Sequence, residues 1–177
     1  MSLGQRVTKR FLLFFSVILM FSILNASEDV LGWRNTKWGL NEQEILNLFP
    51  KEAIKLKQAI NYDDFYAPIA ILNYEIAGDQ YDVHFLFNRK TDKLEGINIL
   101  PVEKKPESLR TMFFQLEQLL TEKYGTPSLR QEDKKINQTK IFWQYPSTVI
   151  KLSLFEIKII DSSILGIYYR MPSKDLK

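Results

Sequence analysis

The longest regular pattern of apolar positions in the chain spans residues 106–124. Apolar side chains recur there at the three- and four-residue spacing that lines one face of an α-helix, and polar residues occupy the opposite face. Pro106 suits a first helical turn, while Gly125 and Pro127 are typical of a helix end. The pattern therefore predicts one long amphipathic helix. Its apolar stripe consists of Leu109, Met112, Phe113, Leu116, Leu119, Leu120 and Tyr124.

A shorter helix is predicted to begin after Asn41. Asn41 is a good N-cap, Glu44 three residues later completes a capping box, and Pro50 would end the helix. Trp33 and Trp38 precede this helix, and we expect both rings to pack in the core rather than to stack on a ligand. The apolar face of the helix is expected to consist of Ile45, Leu48 and Phe49.

Between the two helices, the sequence has the alternation and the turn residues of antiparallel strands. A Gly-Asp pair at 78–79 separates two runs rich in β-branched and aromatic residues, which is a hairpin signal. A bulge at Gly96 in the third run would place Leu94 on the same face as the apolar residues that follow. Residues 51–61 fit either a continuation of the short helix or an edge strand. The three predicted strands are residues 68–77, 80–88 and 94–100.

Beyond the long helix, the sequence predicts a surface loop and then a second group of strands. Residues 125–138 are polar and charged, which is typical of a loop. Residues 140–145 alternate, with the apolar side chains on one face. Residues 148–160 and 164–170 alternate in the same way. The second group is therefore predicted to be a meander of three strands.

The order helix, meander, helix, meander predicts an α+β fold. We expect an antiparallel meander sheet with the two helices packed on one face. The common plan of the two halves suggests a diverged duplication of a helix–meander unit. Residues 27–177 are expected to form a single domain, because about 150 residues can bury roughly 70% of their unfolded-chain surface. The other face of the sheet is then either solvated or a binding surface.

Residues 1–26 have the pattern of a signal peptide. Basic residues precede an uncharged apolar run at 11–24, and small residues around Ala26 suit cleavage. The run has about 14 residues, whereas a helix that spans a bilayer needs ~20. We therefore predict a cleaved signal and a periplasmic or secreted protein. If the signal stays uncleaved, it would be the only attachment to the membrane.

Composition changes the expected partners. The chain has 24 Lys and Arg against 21 Asp and Glu, and residues 1–26 contain three of the basic residues and none of the acidic ones. The remainder has 21 of each, so a nucleic-acid partner is not expected, because such binding needs a concentrated positive surface. The absence of cysteine excludes disulfides, zinc–thiolate sites and lipid attachment at an N-terminal cysteine.

Candidate chemistry is sparse. His84 is the only histidine, and because no Gly-x-Ser-x-Gly motif accompanies it, we interpret it as structural rather than catalytic. The acidic cluster at residues 61–64 lacks the spacing of a calcium loop, so we interpret it as a solvated loop. No pair among the acidic residues stands out as a catalytic pair. The sequence therefore predicts no catalytic residue, no metal site and no cofactor.

Four short motifs together suggest a resemblance. They are Trp38-Gly39 before the short helix, Phe85-Leu86-Phe87, Tyr124-Gly125-Thr126-Pro127 after the long helix, and Trp143 followed by Ile150-Lys151-Leu152. With these motifs the chain resembles a group of small exported bacterial domains of unknown function. The resemblance implies a periplasmic or secreted α+β domain and carries no catalytic residue across. In topology alone the chain is similar to helix-plus-meander modules of outer-membrane assembly lipoproteins and of β-lactamase inhibitor proteins, although the lipid-attachment cysteine of the former is missing.

One stretch is a candidate contact site. It combines aromatic rings with acids, and aromatic rings bury much area at low rotamer cost. In the alternative interpretation, the rings of Phe65 and Tyr66 fold back over the sheet edge. We expect a non-enzymatic exported protein that binds a protein or an envelope component through this stretch or a sheet face. The alternatives are a carboxylate-dependent hydrolase of envelope material and a carrier of an apolar ligand. The stretch consists of Tyr62, Asp63, Asp64, Phe65 and Tyr66.

Overall fold

Two helices and eight strands make up the part of the chain that the computed structural model describes, residues 29–102 and 105–172. The predicted signal peptide, residues 1–26, lies outside these residues. The helices are α1 (Glu42–Leu48) and α2 (Pro106–Tyr124). The strands are β1 (Ala53–Tyr62), β2 (Phe65–Ile76), β3 (Asp79–Asn88), β4 (Leu94–Pro101), β5 (Leu129–Asp133), β6 (Gln138–Gln144), β7 (Val149–Ile157) and β8 (Ser162–Arg170).

All eight strands form one antiparallel sheet in the order β1-β2-β3-β4-β8-β7-β6-β5. Each strand pairs with its neighbour in sequence, except at the centre, where β4 pairs with β8. The predicted α+β class with an antiparallel meander sheet is confirmed. The order of one helix followed by four strands occurs twice, and the duplication of a common unit stays a prediction.

The core lies on one face of the sheet, which we call the helix face. α1 contacts β1 and β2, and α2 contacts β7 and β8. Apolar side chains directly opposite one another on β3, β4, β8 and β7 share this face, and they form one buried cluster with side chains of both helices. We call the opposite face the open face. The strand side chains of the cluster include Val83, Phe85, Phe87, Ile97, Ile99, Ile150, Leu152, Ile167 and Tyr169.

The start of α1 has the predicted capping box. The Oδ1 atom of Asn41 accepts the Glu44 N–H at 3.0 Å, and Oε2 of Glu44 accepts the Asn41 N–H at 2.8 Å. Ile45 and Phe49 are buried as predicted, but Leu48 is 38% exposed and does not belong to the apolar face. A helix of only seven residues turns a narrow stripe towards the sheet, which explains this difference.

Both tryptophans near α1 are packed. Trp33 is buried in the core, as predicted. Trp38 is half-buried against the core, and its Nε1–H donates to the Ser147 backbone oxygen at 2.7 Å. The segment before α1 is therefore tied to the turn between β6 and β7.

α2 has the bounds that the sequence predicts, and five residues of its stripe are buried. Leu119, which was predicted to lie in the stripe, is 38% exposed at its margin. Gly125 ends the helix with a φ of 78°, a conformation that glycine adopts readily. Two side chains in and just after β6 donate to carbonyl oxygens at the end of α2. Trp143 Nε1–H donates to the Gly125 oxygen at 2.8 Å, and the Tyr145 hydroxyl donates to the Tyr124 oxygen at 2.6 Å.

The structure corrects two strand predictions and decides a third. Residues 125–138 are not one loop, because they contain β5, and the second meander therefore has four strands rather than three. All five residues of β5 are exposed and it pairs only with β6, so it has no apolar alternation. β7 ends at Ile157, and a 3₁₀ turn at Lys158–Ile160 replaces the strand predicted up to residue 160. The edge-strand alternative for residues 51–61 is confirmed by β1.

The predicted bulge at Gly96 is present. Leu86 lies opposite Gly96 and Phe87 lies opposite Leu94, which leaves Glu95 as the extra residue on β4. Leu94 is therefore buried on the helix face, while Gly96 lies on the open face at the centre of the sheet.

Candidate binding site on the open face

A row of side chains crosses the open face from β2 to β6. Its members lie directly opposite one another in the strand register, so they share one face. Two of them, His84 and Asn98, are polar and yet buried, although both described helices lie on the other face. Polar side chains are rarely buried in this way without partners. The row consists of Ala70, His84, Asn98, Tyr168, Lys151 and Phe142.

Tyr62 covers His84. Tyr62 is the last residue of β1, and its hydroxyl lies 2.8 Å from Nδ1 of His84. Burial lowers the pKa of His84, against the opposing effect of the Asp82 carboxylate, so the imidazole is neutral at pH 7. Burial likewise raises the pKa of the Tyr62 hydroxyl, which therefore stays protonated. The pair is thus a neutral hydrogen bond that anchors the end of β1 on the open face.

Arg170, at the end of β8, lies flat against the sheet because Gly96 has no side chain. A Cβ atom at Gly96 would lie 2.8 Å from Nη1 of Arg170 and 3.0 Å from its Cδ. Nη1 donates to the Ile97 oxygen at 3.2 Å and to the Tyr169 oxygen at 2.8 Å, and Nη2 donates to Oδ1 of Asn98 at 2.7 Å. All three acceptors are neutral.

Arg170 has no carboxylate partner among the described residues. Burial lowers its pKa to about 10, and the hydroxyls of Tyr168 and Tyr62 oppose that shift. The guanidinium therefore stays charged at pH 7, and its charge is balanced by none of the acids that the structure describes.

Lys151 is a second cation beside Arg170. Its Nζ atom lies 4.4 Å from the centroid of the Tyr168 ring, and the Arg170 Cζ atom lies 5.9 Å from the same centroid. The Arg170 Cζ atom also lies 5.8 Å from the centroid of the Phe65 ring. Burial lowers the pKa of Lys151, and the positive charges of Arg170 and Lys140 lower it further. We call Phe65, Lys151, Tyr168 and Arg170 the cation–aromatic cluster.

The cation–aromatic cluster lines a cavity of about 360 Å³. This volume is at the lower end of the range of small-molecule sites, ~300–1,000 Å³. Apolar side chains complete the wall beside the two cations. They are Phe142, Val149, Met171 and Pro172.

The five predicted contact residues lie at the tight turn between β1 and β2, but they do not share one face of the sheet. Tyr62 and Phe65 lie opposite each other on the open face, where Phe65 belongs to the cation–aromatic cluster. Tyr66 lies on the helix face beside Phe87, and its hydroxyl donates to Asp92. The two acids of the turn, Asp63 and Asp64, are exposed.

Lys151, Tyr168 and Arg170 were not predicted from the sequence as binding residues. These residues lie on strands far from Tyr62 in sequence, and the pairing of β4 with β8 brings them together. One local signal was present: Lys151 is a charged residue between the apolar residues Ile150 and Leu152 of a predicted strand. A strand at the centre of a sheet places such a lysine where its charge is hard to solvate.

Of the cavities that lie away from the open face, two bear on the alternative functions. One, of about 350 Å³, is lined by Glu107, Glu156 and Asp161 near the start of α2. Its Glu156 accepts two hydrogen bonds from Arg110, at 2.6 and 3.1 Å, and is therefore engaged in an ion pair. The other, of about 440 Å³, is apolar and lies between α2 and the segment that contains Trp33.

Within residues 29–102 and 105–172, no three acidic or histidine side chains come together as ligands for a metal ion. Neither α1 nor α2 combines the length and the apolar composition that a membrane-crossing helix needs. Comparison of the chain with protein-family models, with curated proteins and with solved structures finds no match in any of the three.

Proposed function

We propose that this protein is a non-enzymatic binding protein of the cell envelope that recognises its ligand on the open face of the sheet. One observation supports the proposal above the others: Arg170 and Lys151 are held together, half-buried, with no carboxylate partner in the described part of the chain. Withdrawing unpaired charges from water costs free energy. A bound anion would supply the missing partner.

The surroundings of the two cations support binding rather than chemistry. Arg170 is fixed by Asn98 and by strand carbonyls, and His84 is neutral and hydrogen-bonded to Tyr62. These contacts hold side chains in place and leave a cavity with aromatic walls beside them. Rigid donors beside aromatic rings are typical of recognition sites.

The hydrolase alternative has less support. The acids that come together near the start of α2 include Glu156, whose Oε1 atom already accepts two hydrogen bonds from Arg110. The location in the envelope rests on the sequence pattern of residues 1–26.

Site-specific photo-crosslinking tests the proposal. A photoreactive phenylalanine analogue would replace Phe142, on the open face, in the full chain expressed in a bacterium. The matched control places the analogue at Phe114, which is 56% exposed on α2. We expect the protein in the envelope fraction, with adducts from position 142 and few from position 114. Retention in the cytoplasm, or an equal yield of adducts at the two positions, would refute the proposal.

A further inference from the structure

We infer that the cavity beside the cation–aromatic cluster binds a carboxylate that is attached to an apolar group. The inference rests on the proposed function, because it takes the open face as the binding surface. It adds the chemical class of the ligand, which the proposed function leaves open.

Arg170 offers hydrogen-bond donors to a ligand. Three of its N–H groups donate to Ile97, Tyr169 and Asn98. The Nε–H and one N–H of Nη2 then have no acceptor within the described ranges. Two donors on one planar guanidinium match the two oxygens of a carboxylate. Contact with Gly96 and Asn98 fixes the guanidinium, so little rotamer entropy would be lost on binding.

The two positive charges beside the cavity favour an anion. Arg170 and Lys151 both lie within 6 Å of the Tyr168 ring centroid, and they repel each other. An anion in the cavity would interact favourably with both cations and would offset that repulsion. The Nζ atom of Lys151 has no hydrogen-bond acceptor in the part of the chain that the structure describes, so it too can donate to the ligand.

The donors beside the cavity suit a carboxylate better than a phosphate. Phosphate sites usually add backbone N–H groups from a helix N-terminus or a glycine-rich loop. The cavity lies beside the start of β7 and the end of β8, where the strand backbone pairs with neighbouring strands. Few donors besides those of Arg170 and Lys151 are thus available, and they suit an anion with two oxygens.

The remaining wall indicates the rest of the ligand. Phe142, Val149, Met171 and Pro172 are apolar and stand beside the two cations. An apolar group on the ligand would cover these side chains and exclude water from the ion pair, which strengthens it. The ligand is therefore either a free amphipathic acid or the C-terminal carboxylate of a chain that ends in an apolar residue.

Isothermal titration calorimetry tests the inference. The full chain is expressed, and the protein is used as it is isolated from the host. Decanoate represents a free amphipathic acid, and N-acetylphenylalanine represents a chain terminus. Decanol and N-acetylphenylalaninamide are their neutral counterparts, and decyl phosphate is the competing anion. We expect at least one of the two acids to bind about tenfold to a hundredfold more tightly than its neutral counterpart, because charge-assisted hydrogen bonds are lost with the charge. Decyl phosphate should bind more weakly than decanoate.

Three variants locate the binding. Lys151→Gln should weaken binding of the acid severalfold, and Arg170→Gln should abolish it. Arg110→Gln is the matched control, because it removes an arginine from a cavity of similar volume where the charge is already paired with Glu156. Its affinity for the acid should equal that of the unchanged protein. Lys151→Gln removes no hydrogen bond within the described residues, so its fold should persist even if Arg170→Gln unfolds.

Several results would overturn the inference. They are binding of neither acid, equal binding of an acid and its neutral counterpart, tighter binding of decyl phosphate, and equal losses in Lys151→Gln and Arg110→Gln. The photo-crosslinking result separates this failure from that of the proposed function. Adducts at position 142 without acid binding would mean that the open face binds another ligand. Acid binding without such adducts would retain the site and remove the envelope partner.

Discussion

Replacing Trp143 by phenylalanine tests how α2 is joined to the second half of the sheet. Trp143 is 1% exposed, and its Nε1–H donates to the Gly125 oxygen at the end of the helix. Phenylalanine keeps an aromatic ring but has no donor. Gly125 is exposed, so water can replace the lost donor, and the hydrogen bond is worth about 0.5–1.5 kcal/mol. The lost volume of about 40 Å³, at ~24 cal/mol per Å³, adds about 1 kcal/mol.

We therefore expect Trp143→Phe to lower the free energy of unfolding by about 2 kcal/mol. Urea denaturation followed by far-ultraviolet circular dichroism measures this value, since removal of a tryptophan would disturb a fluorescence signal. Tyr145→Phe is the matched control, because it removes only the hydrogen bond to the Tyr124 oxygen and should cost about 1 kcal/mol. A loss below about 0.5 kcal/mol for Trp143→Phe would show that the helix end does not depend on this contact.

Three further predictions concern other parts of the fold. Burial lowers the pKa of His84 in the folded protein, so the unfolded chain takes up a proton more readily as the pH falls. The free energy of unfolding should therefore decrease between pH 7 and pH 5. Urea denaturation should show a steeper decrease for the unchanged protein than for His84→Gln. Asn41→Ala removes the N-cap of α1 and should cost about 1 kcal/mol in thermal unfolding, whereas Gln43→Ala, which leaves the capping box intact, should cost less. Amide hydrogen exchange should be fast in β5, which is exposed and at an edge, and slow in β3, which is central and buried.

Each of these predictions has an opposing result. Equal slopes with pH for the unchanged protein and His84→Gln would mean that the imidazole takes up its proton as readily in the folded protein as in the unfolded chain. Equal melting temperatures for Asn41→Ala and Gln43→Ala would mean that the capping box does not stabilise α1. Exchange in β5 as slow as in β3 would mean that another surface covers this edge.

Elements with local signals could be predicted from the sequence. Asn41 and Glu44 define the start of α1 within four residues, and Pro106 and Gly125 define both ends of α2. β5 lacked such a signal, because an exposed edge strand has no apolar face to produce alternation. The elements that could be predicted are therefore those that capping residues or a buried apolar face mark in the sequence.

The candidate site was predictable only in part, because its residues come from distant strands. Tyr62 and Phe65 were identified because aromatic residues and acids are adjacent at that turn. Arg170 and Asn98 are 72 residues apart in sequence, and only their pairing across the centre of the sheet brings them into contact. The alternation of apolar residues along a strand does not specify which strand lies beside it. From the sequence alone, β4 or β8 could each have been an edge strand.

The pairing of β4 with β8 has a consequence for the order of folding. Every other pair of neighbouring strands is joined by a short connection, so two four-stranded halves can form by fast local steps. Joining them pairs residues about 70 positions apart in sequence, and such non-local contacts form more slowly than local ones. Because Gly96 and Arg170 meet only across this junction, we expect the cavity beside them to form late in folding.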